Sequence, residues 1–240
     1  MDLSVVIPVY NEGGSIRDLI AETSRILQGV IDFEIIVVDD GSDDETAAVL
    51  QGCRAEPPRL RVLRHAQRSG QSAALSSGVR AARAGWIVTL DGDGQNDPAD
   101  IMRLFAVMDS SADQVMLVTG QRLKRRDNTL KRIASRVANT VRARVLQDRT
   151  PDTGCGIKLF ARETYQRLPQ FDHMHRFLPA LVQGLGGETL SVVVNHRPRR
   201  AGVSKYGVRD RLWTGIIDML GVWWLKRRSL SHAVTAIEQA

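Results

Sequence analysis

The sequence predicts an α/β fold: a Rossmann-like, mostly parallel sheet with helices on both faces, followed by an amphipathic C-terminal helix. Three observations lead there. Apolar, β-branched runs of strand length recur at Leu3 to Val9, Phe33 to Val38 and Trp86 to Leu90. Each empties at once into a polar turn: Y-N-E-G-G from Tyr10, D-D-G-S-D-D from Asp39, and D-G-D-G-Q-N-D from Asp91. A helical pattern follows each turn. Strand, turn and helix in alternation describe parallel strands joined by crossover helices, whose strands are apolar throughout because both faces are covered.

Taken in order, Leu3 to Val9 is the first strand, and Ser15 reads as the N-cap of a helix running to Leu27. Phe33 to Val38 is the second strand, with a helix from Glu45 to Gln51 after its acidic exit. Leu60 to Arg64 is a short third strand, and Ser69-Gly70-Gln71-Ser72 opens a small-residue helix to about Ala84. Trp86 to Leu90 is the fourth strand, Asp97-Pro98 starts a helix to Met108, and Gln114 to Gly120 is another strand. Leu123 to Arg149 is strongly basic, and Leu130, Ile133, Val137, Val141 and Val145 recur at helical spacing, which predicts a cationic amphipathic helix. Asp152-Thr153-Gly154-Cys155-Gly156 is a tight turn before a short strand at Ile157 to Phe160. A helix near Arg162 to Leu168, a loop through His173 and His175 into a further helix, and a strand at Leu190 to His196 complete the domain. Arg197, Arg199, Arg200, Ser204, Lys205 and Tyr206 make a basic loop. Leu212, Trp213, Ile216, Ile217, Leu220, Trp223 and Trp224 then form one apolar stripe between Arg209 and Arg211 on one side and Lys226, Arg227 and Arg228 on the other. That tail is too short to span a bilayer and suits an interfacial helix or a subunit contact.

The bulk numbers are compatible with one such domain. Hydrophobic residues at 43% and charged residues at 25% of the 240 argue against disorder. Lys+Arg 33 against Asp+Glu 27 gives a net charge of +6, which points to an anionic partner: nucleic acid, a membrane surface or a phosphorylated substrate. Cys53 and Cys155 lack metal-site spacing and fit a reducing cytoplasm. The opening M-D-L-S-V-V-I-P has no basic region and no cleavage site, so it reads as a strand and not as a signal peptide. No run approaches the ~18 uncharged apolar residues of a transmembrane helix.

The chemistry concentrates at the acidic turns, because ligands of such sheets sit outside the carboxyl ends of the strands. Asp91 and Asp93, two residues apart, project to the same side of an extended chain. Buried carboxylates need a neutraliser, and Mg²⁺ or Mn²⁺ held against the phosphates of a nucleotide supplies it. A phosphoacceptor signalling module also carries paired acids, but it is about half this length and has no use for the basic half. A nucleotidyltransferase would want a basic, glycine-rich loop after the first strand, where Tyr10 to Gly14 has no basic residue. A non-catalytic protein that binds a nucleotide-sugar or a membrane surface is the remaining rival. Cys155 between two glycines reads as a small turn residue, since nothing nearby would lower its pKa.

The chain carries, in order, V-I-P-V-Y-N-E from Val6, V-V-D-D-G-S-D-D from Val37, R-S-G-Q-S-A-A from Arg68, L-D-G-D-G-Q-N-D-P from Leu90, G-Q-R from Gly120, D-T-G-C-G-I-K-L-F from Asp152 and S-K-Y from Ser204. On these segments it resembles the inverting family-2 glycosyltransferases of GT-A fold, and among them the dolichyl- and polyprenyl-phosphate sugar synthases of the dolichol-phosphate mannosyltransferase type. The resemblance runs from Leu3 to about Tyr206 and so implies a catalytic domain over residues 1–207, while the Trp-bearing apolar and basic pattern of the remainder makes 208–240 a membrane-surface or dimer-contact tail. It implies that Pro8, Tyr10, Glu12 and Asp39 contact the nucleoside with Asp40 close by, and that Asp91, Asp93 and Gln95 sit at the metal and diphosphate. Arg122, Lys131, Arg132 and Ser135 would face the acceptor phosphate and Lys205 the donor diphosphate, with Asp91, Asp93, Arg122 and Lys205 carrying catalysis. Where relatives carry arginine this chain has Lys131, which leaves its division of labour with Arg132 open. His175 lies in a stretch similar to a loop near the family's active site. The partners implied are a nucleotide-sugar such as GDP-mannose or a UDP-sugar, a polyprenyl-phosphate acceptor and the inner face of the cell membrane, with a homodimer also compatible and no nucleic acid. A non-prenyl acceptor in envelope polysaccharide or glycolipid synthesis is the alternative.

Overall fold

The computed structural model describes residues 1–53, 59–123, 141–148, 150–198 and 208–228, with side chains of the last helix described from Gly215 onward. Its strands are β1 (Leu3–Val9), β2 (Phe33–Asp39), β3 (Leu60–Arg64), β4 (Trp86–Thr89), β5 (Val115–Arg122), β6 (Lys158–Ala161) and β7 (Glu188–Val194). They form one sheet in the order β3-β2-β1-β4-β6-β5-β7. The helices are α1 (Gly13–Leu27), α2 (Thr46–Cys53), α3 (Gln71–Ala81), α4 (Asp100–Asp109), α5 (Arg162–Arg167), α6 (Leu178–Gly184) and α7 (Val208–Arg228), with a 3₁₀ turn at Met174–Arg176 and a helical stretch over 141–146.

β1 and β2 are buried at every position, as strands covered on both faces must be. Alternate side chains separate into two cores. Leu3, Val5, Ile7 and Val9 join α1 and α4 on one face, while Val6, Ile36 and Val38 join α3, α6 and Val222 of α7 on the other. β1 pairs in parallel with β2 on one side and β4 on the other, so the connectivity reverses at β1. Such a switch point opens a crevice at the carboxyl ends of the strands, and there Tyr10, Asp39, Asp40 and Asp91 emerge together.

The sheet departs from parallel at one place. β6 runs antiparallel between β4 and β5, with Thr89 opposite Lys158. A strand running the other way brings its N-terminal approach, Asp152 to Ile157, to the edge where its neighbours end.

Two sequence expectations are corrected. Ser15 is not an N-cap: α1 starts at Gly13, and the buried Ser15 hydroxyl donates to the Gly92 carbonyl at 2.8 Å, tying α1 to the acidic turn. The apolar stripe of α7 is also not one face. Val222 is buried and Met219 and Trp223 pack on the second core, whereas Ile217, Leu220 and Trp224 are 67%, 53% and 55% exposed. Successive helix positions rotate by about 100°, which puts these two groups on opposite sides. Among the described residues no helix is long and apolar enough to cross a membrane.

Gly78 shows how closely α3 lies on β1, since a Cβ there would stand 2.4 Å from Val6 Cγ1. Gly78→Val is expected to destabilise the fold by about 1–3 kcal/mol through overpacking, read as a lower urea midpoint at unchanged m-value.

Candidate active site

At the switch point lies a cavity of about 500 Å³, lined among others by Pro8, Arg68, Gly70, Gln71, Asp91, Gly156, Lys158, Asp172, His173, His175 and Arg176. Asp91 is its acidic centre. The chain leaves β4 at Thr89, and the Asp91 backbone N–H is fixed by the buried side chain of Asn96, which accepts at 2.9 Å. Gln71 Nε2, at the first turn of α3, donates to Asp91 Oδ1 at 3.0 Å. From the far side Gly156 presses on the carboxylate so closely that a Cβ would lie 2.2 Å from Asp91 Oδ2. Burial pushes the Asp91 carboxyl up from its ordinary range and the charge of Asp93 adds to this, while Lys158, Arg122 and the Gln71 hydrogen bond oppose it. A buried carboxylate with a second acid two residues away fits a hard divalent cation that completes its shell with ligand oxygens. Among the described residues no three His, Cys, Asp or Glu gather as a protein-only cage, so such an ion would rest on Asp91, Asp93 and what it binds.

The other acidic turn is divided in its work. Asp40 braces the loop opposite: Oδ1 accepts the Ser69 N–H and Oδ2 the Gly70 N–H, both at 2.8 Å, and Oδ1 also meets His65 Nδ1. Asp39 Oδ1 accepts the Ser42 N–H at 2.9 Å, but its buried Oδ2 has no hydrogen-bond partner among the described residues and lies 3.3 Å from Arg64 Nε. Asp39 is thus the member of the pair with acceptor capacity left for a ligand. The Arg68 guanidinium stacks on the Tyr10 ring at 4.4 Å, and the Glu12 backbone N–H donates to Thr46 Oγ1.

Arg122, at the end of β5, is gripped along its Nε–Nη2 edge by Asp152. Nε and Nη2 donate to Oδ2 and Oδ1 at 2.7 and 2.8 Å, and the Arg122 backbone N–H also donates to Oδ2. Burial works to lower the Arg122 pKa, and the Asp152 pair outweighs it and holds the guanidinium charged. Gln95 turns toward β7, its amide donating to the Arg197 carbonyl at 3.3 Å, while its backbone N–H donates to Asp93 Oδ1. Arg197 clamps Glu22 and Asp97, anchoring the entry of the basic loop to the acidic turn.

Lys131, Arg132, Ser135 and Lys205 lie outside the described residues, as do most of the basic segment 123–149 and the loop from Arg199 to Tyr206. The structure brings together Pro8, Asp91 and His175 at the cavity, with Arg122 tied to Asp152 behind it. It also adds residues to which the sequence alone assigns no role: Gln71, Asn96, Asp152, Gly156 and Lys158. The last has a visible signal, a lysine alone in the apolar run I-K-L-F, because a lysine in a buried strand is rare without a function or a partner. Lys158 is 5% exposed, its Nζ donates to the Cys155 carbonyl, and burial lowers its pKa against the pull of Cys155 and Asp91.

His175 is neutral. Ser72 Oγ accepts the His175 backbone N–H at 3.3 Å and lies within hydrogen-bond distance of Nδ1, at 2.8 Å. Burial first, then the charges of Lys158, Arg176 and His173, push its pKa down to about 3.

Comparison with known proteins returns one consistent picture. A family model described as Glycosyl transferase family 2 matches residues 4–168. The chain is 33% identical over 235 residues to a dodecaprenyl-phosphate galacturonate synthase of Rhizobium johnstonii, covering 95% of this chain and 68% of that protein. It is 32% identical to an undecaprenyl-phosphate 4-deoxy-4-formamido-L-arabinose transferase of Yersinia enterocolitica, covering 98% of this chain and 72% of the relative. Against the same transferase of Shewanella sediminis, also 32% identical over 85% of this chain, it spans only 62% of the relative's length. Among solved structures, glucosyl-3-phosphoglycerate synthase from Mycobacterium tuberculosis, in complex with Mg²⁺ and UDP, superposes with a TM-score of 0.70 at 20% identity, covering 94% of this chain and 79% of that one.

Two outcomes follow from the geometry. Gly156→Ala is expected to displace the Asp91 carboxylate and cut turnover about a hundredfold, since misplacement by about 1 Å suffices, while circular dichroism stays native. A histidine depressed in the folded state contributes stability above its unfolded pKa of about 6.5 and loses it as the pH falls toward 3. Stability is therefore expected to drop below pH 6.5 by up to about 1.4 kcal/mol per pH unit, and His175→Asn is expected to flatten that slope in urea titrations.

Proposed function

The chain belongs to glycosyl transferase family 2 and is a GT-A glycosyltransferase, and from that premise we propose that it moves a sugar from a nucleoside diphosphate to a polyprenyl monophosphate at the inner face of the cell membrane. The observation that carries this reading is the cavity in which a buried Asp91 stands at the mouth of β4, beside the acidic exit of β2, in a chain whose relatives over 85–98% of its length are named for polyprenyl-phosphate substrates.

The nucleoside lies along Pro8, Tyr10, Glu12 and Asp39, where Asp39 Oδ2, ion-paired with Arg64 but without a hydrogen bond among the described residues, accepts a donor from the base. Asp40 keeps the Ser69-Gly70 backbone in place as the wall of that site. Asp91 and Asp93, with Gln95 supporting the turn, hold Mg²⁺ or Mn²⁺, which when bound supplies Lewis-acid stabilisation of the departing diphosphate. Gln71, Asn96 and Gly156 fix the Asp91 carboxylate in one orientation, so the charged groups need no rearrangement as negative charge grows on the leaving group.

The acceptor is a phosphate monoester with a second pKa near 6, already a dianion in large part at neutral pH. One of its oxygens bonds to the anomeric carbon as the bond from that carbon to the diphosphate breaks, with inversion, and no general base is required. His175, whose pKa burial pushes down to about 3, is accordingly too weak a base to be needed and serves the shape of the pocket. Asp152 aims Arg122 toward the acceptor side, and Lys131, Arg132 and Ser135 bind the acceptor phosphate, with Lys205 at the donor diphosphate. The exposed face of α7 meets the membrane: Trp224 beside Leu220 and Ile217, with Arg227 and Arg228 stacked on Trp223 and Trp224, suits the headgroup level of an anionic leaflet better than a second copy of the same cationic surface.

The test is a panel of labelled donors (GDP-mannose, UDP-glucose, UDP-N-acetylhexosamine and a UDP-uronic acid) with undecaprenyl phosphate. One donor is expected to give a chloroform-soluble product that disappears with chelator and in Asp91→Asn. No lipid-linked product from any of the donors overturns the acceptor assignment, and chelator-resistant turnover overturns the metal.

A further inference from the structure

We propose that the contact between His173 and Asp218 is a positioning link, through which α7, seated by its opposite face on an anionic lipid surface, holds the rim of the donor cavity in its working geometry. The link rests on the reading of the chain as a transferase that works at a membrane.

His173 lines the cavity and adopts a left-handed backbone at φ 61° and ψ 6°. For a residue with a Cβ that conformation costs on the order of 1 kcal/mol and persists only where the surroundings impose it. Two carboxylates stand beside its ring. His173 Nδ1 lies 3.1 Å from Asp218 Oδ2 on α7, and Nε2 lies 3.5 Å from Asp172 Oδ2. Asp218 Oδ2 is buried and has no hydrogen bond among the described residues, so the imidazole is the polar neighbour that balances it.

From His173 the chain of contacts reaches the reaction centre in few steps. Asp172 Oδ1 accepts the His173 N–H at 2.7 Å and sits 3.3 Å from where a Cβ on Gly70 would be. Gly70 caps α3, whose first residue, Gln71, donates to Asp91. α7 is itself anchored by the buried Val222 and by Lys226, whose ammonium donates to the Leu146 carbonyl at the end of the helical stretch 141–146. A rigid helix thus has one face on the pocket rim and the other, with Ile217, Leu220 and Trp224 exposed near Arg227 and Arg228, turned outward. The outward face fits lipid: a tryptophan and aliphatic side chains for the headgroup boundary, and guanidinium groups for lipid phosphates. Docking that face fixes the helix, and through Asp218 it selects the rim conformation that His173 would otherwise leave part of the time.

The experiment uses the full chain, phosphatidylglycerol vesicles and hydrogen exchange over 171–176. Vesicles are expected to slow exchange there about fivefold in the unmodified protein. In Asp218→Asn they are expected to bind as before, by co-sedimentation, without slowing exchange. His173→Asn, which keeps a residue tolerant of the left-handed backbone, repeats the test should Asp218→Asn fail to fold. Leu220→Ser with Trp224→Ser is expected to lose vesicle binding and protection together. With undecaprenyl phosphate in the vesicles, the link variants are expected to lose kcat about fivefold at unchanged lipid KM. Protection that persists in both link variants, or that is absent from the unmodified protein, overturns the link. Protection that behaves as expected while no donor gives lipid-linked product overturns the acceptor reading alone.

Discussion

The position of one carboxylate organises this molecule. Asp91 leaves a central strand at the place where the sheet's connectivity reverses, and it is buried there although burial penalises its charge. A site that a solvated acid could fill would need little support. This one is held at the backbone by Asn96, at one oxygen by Gln71, and at the other by the bare backbone of Gly156. Those three residues come from the acidic turn, from α3 and from the approach to β6, so three separate segments must fold correctly before the carboxylate is in place. The energetic cost of a buried anion is the reason for that convergence: it is tolerated only where its orientation is fully determined.

The antiparallel β6 follows from the same constraint. Inserted between β4 and β5, it sets Thr89 opposite Lys158, puts Gly156 against Asp91 and leaves Asp152 within reach of Arg122 at the end of β5. Lys158 and Arg122 thereby stand where their positive charge opposes the upward push of burial and of Asp93 on the Asp91 carboxyl. Asp152 in turn orients Arg122 bidentately, which preserves its charge and fixes the plane of the guanidinium. An arginine so held presents a single defined edge instead of a mobile cation.

Much of this is legible in the sequence, for definite reasons. The strands are visible because buried parallel strands are apolar at every position, and the acidic turns because carboxylates gathered at strand ends are costly unless a cation or a ligand meets them. Ser15 misleads because a serine before an apolar run has the look of a cap; its partner, the Gly92 carbonyl, is distant in the chain. Asp39 and Asp40 are inseparable as a D-D pair, and only the hydrogen bonds to Ser69 and Gly70 reveal that one braces a loop while the other keeps an acceptor atom open. Gly156 cannot be read at all as a contact, since glycine's role there is the absence of a side chain. Lys158 can be found, as a cation without an alternating polar face to occupy.

The tail shows the limit of periodicity most clearly. A stripe of apolar residues at helical spacing measures how apolar a helix is, but a helix apolar on two sides produces nearly the same stripe as one wide face. In α7 the two sides have different partners to satisfy: Met219, Val222 and Trp223 complete the second core, and Ile217, Leu220 and Trp224 remain outside. A helix needing only to cover the core would carry polar residues on that outer side, as α1 does with Arg17, Asp18 and Glu22 opposite Ile16, Leu19 and Ile20. The outward apolar face therefore answers to something beyond the domain's own stability. Because Asp218 lies on the same rigid helix as that face and contacts a cavity residue, whatever the face binds bears on the geometry around Asp91.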